Sequence, residues 1–420
     1  MMKRPYYTDS YKTEFDAKIV AVTTFSSGSD KELPAVELDA SYFYPTSGGQ
    51  AFDTGSLGEW RVVDVVSEKS GPGSLGRVLH LLDADSSMLP TQACVGQIVR
   101  GVVDWPRRYD HMQQHSGQHL LSHAFFHLFG YETVSVHFGA VESTLDLAVD
   151  ALRDEELRAI ERYVTEVVYA NLPIQSYFVG EQEIAALPLR RPPKVTGEIR
   201  VVEIEGIDYS ACGGTHCRSS GELGLVKLLR TEKSRKNKRV AFVCGWRAQA
   251  DYGVKHQLLL ESAKLFSTDI SQVPPSIERV LEQNKLLGRR VESLNDELLT
   301  VEAQRICETA GSVGEYRVVA QVFDDREIAE VKKLAVLLQE DEDVVVLFAV
   351  RQADQLTAIF ARGKNVLVKM GSLLHETLRQ FGGNGGGRPE FAQGGKVDAV
   401  HAHDILENAM GRLHSELTAL

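Results

Sequence analysis

The chain has 420 residues, 43% apolar and 25% charged, an ordinary globular profile that at about 100–200 residues per domain leaves room for two to four domains. No run approaches the roughly 18 apolar residues of a membrane span, the opening MMKRPYYTDSYKTEF has no apolar signal core, and Cys 5 is too few for a disulfide framework. The net charge of −12 argues against a uniformly basic nucleic-acid binder, but an RNA ligand needs a basic surface rather than a basic total.

Residues 15–105 read as β-rich. AKIVAVTTF, AVELDASYFYP, WRVVDVVSEK, GRVLHLL and QIVRGVVDW are β-branched or alternating stretches between Gly, Ser and Asp turns. An N-terminal β-barrel is expected over residues 1–105. Residues 106–248 read as mixed α/β. DHMQQHSGQHLLSHAFFHLFG predicts a long helix stopped by Gly130, and VDALRDEELRAIERYVTEVVYANL predicts a second. TVSVHFG, STLDLAV, IRVVEIEG, ELGLVKLLR and RVAFVCG are predicted strands around them.

Residues 249–306 form a predicted helical linker. Ile277, Val280, Asn284, Leu287, Val291, Leu294, Leu298 and Val301 alternate spacings of 3 and 4, a heptad seam. Pro274–Pro275 stops the seam from continuing upstream. It suits an antiparallel hairpin with residues 252–267 or a homodimer contact through this linker; a dimer through the C-terminal domain is the other open arrangement. Residues 307–420 read as a C-terminal α/β domain. Its predicted strands are YRVVAQVFD and DVVVLFAV, and its helices EIAEVKKLAVLLQE and VKMGSLLHETLRQFG. The stretch GGNGGGRPEFAQGG (382–395) is too glycine-rich for a strand and is expected as a loop. The fold class is α+β multidomain.

Two half-sites carry the chemistry. His115 and His119 stand four residues apart in H-S-G-Q-H, which puts both imidazoles on one helical face. Cys212 and His216 share that spacing in C-G-G-T-H-C, where the glycines allow a tight backbone. Three imidazoles and a thiolate suit Zn²⁺. The rival reading is a polar helix face, because His111, His115, His119, His123 and His127 recur every four residues. No Glu follows His115, so this is not the H-E-x-x-H of zinc proteases, and a closed, structural zinc stays open. Gln114 and Gln118 beside the ligands are read as facing solvent, with hydrogen-bond support of the ligands as the other reading. Two basic runs are either solvated faces or phosphate contacts. One is Arg190, Arg191, Lys194 and Arg200; the other is Arg230, Lys233, Arg235, Lys236, Lys238 and Arg239.

Four motifs in order extend the picture: F-Y-P-T-S-G-G-Q-A-F-D-T-G (43–55), H-S-G-Q-H-L-L-S (115–122), C-G-G-T-H-C (212–217) and the 382–395 glycine stretch. Together they resemble the alanyl-tRNA editing family, which comprises the editing domain of alanyl-tRNA synthetase and its free-standing AlaX-type relatives. The layout of barrel, editing domain, helical linker and C-terminal DHH-associated domain resembles the long AlaX class. The barrel begins close to Met1, so no class II aminoacylation domain is expected ahead of it. No Asp-His-His triplet occurs, Asp110-His111-Met112 being nearest, so phosphoesterase activity is not implied. The role of His137 in T-V-S-V-H-F-G stays open.

The resemblance implies that His115, His119, Cys212 and His216 are zinc ligands. It implies that Thr46 senses a serine hydroxyl, that Gly48, Gly49 and Gln50 form the loop at the editing pocket, and that Gly385, Gly386 and Gly387, with Arg388 beside them, touch tRNA. The expected partner is tRNA(Ala) mischarged with Ser or Gly, the expected reaction hydrolysis of the aminoacyl ester, and the expected setting a reducing cytoplasm. An apolar pocket discriminates against one added hydroxyl or one missing methyl only about 10–200-fold, so a second, hydrolytic site is physically sensible. Zinc either activates water or holds the substrate; the missing glutamate favours the latter. The alternatives are a non-catalytic, zinc-stabilised tRNA-binding module, a release-factor-like esterase suggested by Gly48-Gly49-Gln50, and a zinc esterase acting on small molecules.

Overall fold

A computed structural model describes residues 4–26, 32–68, 76–83, 89–192 and 197–419. The chain forms two compact units, Met1–Lys264 and Leu265–Leu420.

The first unit opens with six strands: β1 (Glu14–Ser26), β2 (Glu32–Leu38), β3 (Gly55–Leu57), β4 (Trp60–Glu68), β5 (Arg77–Leu82) and β6 (Ile98–Val103). They close into a barrel in the order β1-β2-β5-β4-β3-β6, with β1 antiparallel to both β2 and β6. Phe15, Ala17 and Ile19 alternate inward along β1 and meet Val36, Leu57, Val62 and Val78 in the barrel core.

Helix α1 (Trp105–Phe129) leaves the barrel directly. Asp104 caps its start by accepting from the Arg107 amide, Pro106 sits in its first turn, and Gly130 ends it in the left-handed conformation. There follow β7 (Thr133–Phe138), β8 (Ser143–Leu147), α2 (Asp154–Ala170), β9 (Ile174–Val179), the single turn α3 (Glu181–Ile184), β10 (Ile199–Ile204), β11 (Asp208–Ala211), β12 (Val226–Ser234), β13 (Asn237–Cys244) and α4 (Gly245–Leu265). The strands form two sheets, β12-β13-β8-β7 and β11-β10-β9. Helix α1 is enclosed on nearly every side, and Met112, Leu121 and Phe125 share a core with Ile160, Val164, Val240 and Phe242. Gln114 and Gln118 are therefore buried, against expectation. The Gln114 side-chain amide donates to Cys244 O at 2.9 Å and accepts from Cys244 N at 3.0 Å, while Gln118 donates to Ser122 Oγ.

The second unit contains α5 (Val273–Glu308), β14 (Gly311–Val313), β15 (Tyr316–Asp324), α6 (Ile328–Leu338), β16 (Val344–Gln352), β17 (Gln355–Arg362), α7 (Met370–Gln380), β18 (Asn384–Gly387), β19 (Phe391–Asp398) and α8 (Ala402–Ala419). The sheet order is β14-β15-β16-β17-β19-β18. Only β15 and β16 run parallel, so the α/β expectation for this domain gives way to a mostly antiparallel α+β layer. The prolines sit in the first turn of α5, where a missing N–H costs nothing. Leu299 and Ala303 pack toward α6, whereas Ile277, Val280, Leu287, Val291, Leu294, Leu298 and Val301 of the heptad seam are exposed.

The 382–395 stretch is not a loop but the β18–β19 hairpin. A Cβ on Gly385 would lie 2.7 Å from Gly394 Cα and 3.0 Å from both Leu374 and Leu378 of α7; one on Gly387 would lie 2.3 Å from Phe391 O. The glycines let this hairpin lie against the helix. Among the described residues no helix is long and apolar enough to cross a membrane.

Candidate metal centre

The ligand atoms of His115, His119, Cys212 and His216 all lie within 4.8 Å of one another. Helix α1 presents the first two on one face, and the loop after β11 brings the other two against it. Cys212 Sγ stands 3.3 Å from His115 Nε2 and 3.4 Å from His216 Nε2. The close approach demands glycine at 214: a Cβ there would sit 2.1 Å from His115 Cε1 and 2.3 Å from His115 Nδ1. Gly117, the glycine of H-S-G-Q-H, has a parallel role, since its Cβ would lie 2.2 Å from Cys244 Sγ.

Each imidazole has its Nδ1 engaged elsewhere. His115 Nδ1 meets Gln50 Oε1 at 2.8 Å, His119 Nδ1 meets Asp208 Oδ2 at 3.3 Å, and His216 Nδ1 meets Ser116 Oγ at 3.0 Å. Oxygen acceptors on Nδ1 fix the tautomer that leaves Nε2 free as a donor atom, the outer arrangement of a metal site. The residues present fit a zinc ion: three nitrogen donors, one sulfur donor and an orienting partner for each ring.

The charges agree. Burial works to raise the Cys212 thiol, but His115 and His216 outweigh it and hold it well below its ordinary range, as the thiolate a metal requires. Burial pushes His216 down to about 3, so it is neutral. For His119 burial opposes charge, yet the bonds to Asp208 and Cys212 lift it to about 9; the site favours a positive charge at this point. Burial would raise Asp208, but His119 and Arg190 hold it below the usual carboxylate range.

Gln50 is buried and belongs to this cluster. Its Oε1 also accepts from Thr215 N at 3.1 Å, and its Nε2 donates to Thr215 Oγ1 at 2.7 Å. It ends a two-residue turn in which Ser47 and Gln50 exchange backbone bonds and Gly48 and Gly49 take positive φ of 58° and 88°. Gly49 faces Phe138, whose ring centroid is 5.0 Å from that of His115. Thr46, Gly48 and Gly49 are exposed, and Thr46 N donates to Val65 O. Below the turn, the fully buried Arg108 grips Asp53 through Nε at 3.0 and 3.1 Å and also donates to Tyr42 O and Ser10 O.

The other histidines separate. His123 bonds Tyr163 Oη at 3.1 Å and stacks on His127 at 5.3 Å; His111 is half-buried with no partner for Nδ1; His137 is exposed on β7, opposite Thr144. The basic runs separate too. Arg190 and Arg200 turn inward, Arg191 is exposed, and Lys194 lies outside the described residues. In the β12–β13 hairpin Arg230 pairs with Glu142, and Arg239 with Asp146 at 2.7 Å. Lys233, Arg235, Lys236 and Lys238 form no carboxylate ion pair among the described residues. Arg388 and the β18 glycines lie in the second unit. Sequence reasoning missed Asp208 and Ser116. Ser116 sits inside H-S-G-Q-H and was within reach; Asp208, in a four-residue strand, carries no local signal.

Comparison with known proteins places the chain in a family. The family described as threonyl and alanyl tRNA synthetase second additional domain matches residues 199–240, which include C-G-G-T-H-C, and the DHHA1 domain matches residues 315–414. The chain is 30% identical to the alanyl-tRNA editing protein AlaX-L of Pyrococcus horikoshii, over 99% of this chain and 100% of that protein. It is also 30% identical to the alanine–tRNA ligase of Methanopyrus kandleri over 93% of this chain, but it spans only 42% of that ligase. The C-Ala domain of Aquifex aeolicus alanyl-tRNA synthetase matches 26% of this chain and 96% of its own at 28% identity, with a TM-score of 0.23. By its end-to-end match to AlaX-L, and by carrying both domains, the chain belongs to the alanyl-tRNA editing family in its long AlaX form.

Proposed function

We propose that the chain hydrolyses the ester joining a wrong amino acid, serine or glycine, to tRNA(Ala), at a zinc site formed by His115, His119, Cys212 and His216. The observation that carries this reading is the buried Gln50 bridge, which ties the Thr46–Gln50 turn to His115 and Thr215 of the metal cluster. A zinc ion held there would supply Lewis acidity and an anchor for the substrate. Four protein donors would fill a tetrahedral shell, so substrate or water would have to enter as a fifth ligand or displace one of the four; the absence of a glutamate after His115 favours anchoring over water activation. Thr46 is the candidate partner for a serine hydroxyl; it is exposed in the free chain, so it can penalise alanine only where the bound aminoacyl end shuts water out around it. Gly48 and Gly49 shape the turn so that its backbone meets the substrate. Phosphate contacts fall to Lys233, Arg235, Lys236 and Lys238 of the hairpin, with Arg230 and Arg239 committed to carboxylates, and to Gly385–Gly387 with Arg388 in the C-terminal unit. A second copy of the chain would meet either the exposed α5 seam or the C-terminal unit.

The test is loss of ester from Ser-, Gly- and Ala-tRNA(Ala) with zinc-loaded protein. Rapid loss of Ser-tRNA(Ala) and sparing of Ala-tRNA(Ala) are expected, and Gly-tRNA(Ala) reads the order of preference. Binding of all three without turnover would replace the reading with a tRNA-binding module whose zinc is structural.

A further inference from the structure

The basic run Arg190, Arg191, Lys194 and Arg200 has the composition of an RNA contact, yet its two inward arginines face the metal cluster. Arg190 Nε donates to Asp208 Oδ1 at 3.1 Å, and its Nη2 donates to Ser210 Oγ at 3.1 Å. Ser210 Oγ in turn donates to Asp208 Oδ2 at 2.8 Å, the oxygen that meets His119 Nδ1. The Asp208 side chain is 2% exposed and that of Arg190 15%, so water barely screens the pair. Arg200, itself buried, reaches the other half-site. Its Nη1 donates to Cys212 O at 2.8 Å and Gly214 O at 2.9 Å, and its Nε is anchored on Tyr7 O at 2.9 Å. One guanidinium thus orients a ligand imidazole through a carboxylate, and the other fixes the backbone that carries the ligand thiolate.

We propose that Arg190 and Arg200 are positioning residues for the metal site and not RNA contacts: Arg190 acts through Asp208 on His119, and Arg200 through the Cys212–Gly214 carbonyls on Cys212 and His216. The inference rests on the zinc reading above, but not on hydrolysis or on the identity of the amino acid. A guanidinium fork suits both tasks, because it supplies several fixed donors that an ammonium cannot place at once.

The experiment compares the full chain with its Arg190→Gln, Arg200→Lys and Lys233→Ala/Lys236→Ala variants. Zinc affinity is read by chelator competition, ligand geometry by the visible spectrum of the cobalt(II)-loaded protein, and RNA contact by the salt dependence of tRNA(Ala) binding. Arg190→Gln and Arg200→Lys are expected to weaken zinc binding roughly 10–100-fold, the usual effect of losing an outer-shell partner, and to shift the cobalt bands. Their salt slope should match that of the unaltered chain. The double lysine variant should do the reverse, retaining zinc while its slope falls by roughly one per lost phosphate contact. Arg200 is buried and its replacement can unfold the chain, so Arg190→Gln decides the proposal alone. Unchanged zinc affinity in Arg190→Gln overturns it, as does a salt slope that drops with the loss of Arg190. If the unaltered chain binds zinc but hydrolyses nothing, the hydrolase reading fails and this inference stands.

Discussion

Gln50 Oε1 lies 2.8 Å from His115 Nδ1 and 3.1 Å from Thr215 N, so one buried amide joins a turn in the barrel unit's loop to both metal half-sites. Gln50→Ala removes the acceptor for two buried donors, which should cost about 1–3 kcal/mol and lower zinc affinity about tenfold or more. Gln50→Glu keeps the acceptor but cannot donate to Thr215 Oγ1, and should fall between the two. Chelator competition and thermal unfolding of the zinc-loaded protein check this; Gln50→Ala with native zinc affinity would separate the turn from the metal.

The two glycines of C-G-G-T-H-C have different duties. A Cβ on Gly214 collides with the His115 ring, whereas one on Gly213 meets only Tyr7 at 3.8 Å, an ordinary contact. Gly213→Ala is expected to bind one zinc ion per chain like the unaltered protein. Gly214→Ala is expected to lose most of the bound metal and about 1–3 kcal/mol of stability. Metal analysis of the two purified variants decides it, and equal zinc content would show that the loop can withdraw without disturbing the site.

The barrel is expected to carry its own acid sensitivity, through a histidine outside the His115–His119–Cys212–His216 cluster. His80 is fully buried, with Nδ1 donating to Val36 O at 3.0 Å and Nε2 accepting from Ser41 Oγ at 2.7 Å. Burial lowers it from 6.5 to about 4. The unfolded chain therefore binds the extra proton between those values, and stability is full above about 6.5 and lost as pH falls toward 4. Between pH 7 and 4.5 the protein should lose about 2–3 kcal/mol more than His80→Gln, which keeps the two bonds but does not titrate. Urea unfolding at the two pH values, followed by a barrel probe such as Trp60, measures the difference; parallel losses would put the acid sensitivity elsewhere.

The β18 glycines separate packing from recognition. Gly385 is pressed against Gly394, Leu374 and Leu378, while a Cβ on Gly386 meets nothing within 4 Å. Gly385→Ala should lower the melting temperature of the C-terminal unit. Gly386→Ala should leave it unchanged, so any loss of tRNA affinity in that variant reports contact with RNA. A melting temperature that falls equally in both would show that the open face of β18 is not open in solution.

Part of this was readable from sequence because it is local. The spacing of four in both half-sites and the glycines of C-G-G-T-H-C state the metal cluster within a few residues each, and long β-branched runs such as WRVVDVVSEK declare the barrel. What escaped depends on distant partners. Asp208 reaches His119 across 89 positions, and Arg190 and Arg200 read as surface charge because nothing in their own neighbourhood shows the carboxylate or carbonyls they meet. Gln114 and Gln118 looked solvent-facing because a polar residue on a helix usually is; α1 is instead surrounded, and its amides bond Cys244 and Ser122. The 382–395 glycines read as a loop because glycine is a poor strand former; they form a hairpin packed on α7, a contact that only the tertiary fold displays.

The central claim, that hydrolysis belongs to the His115–His119–Cys212–His216 cluster, is tested most directly by single-turnover decay of Ser-tRNA(Ala) as zinc is returned to chelator-stripped protein. The expected result is activity that rises with zinc and saturates at one equivalent per chain, with Cys212→Ala inactive throughout. Full activity in the stripped protein, or none after one zinc per chain has been bound, would contradict it.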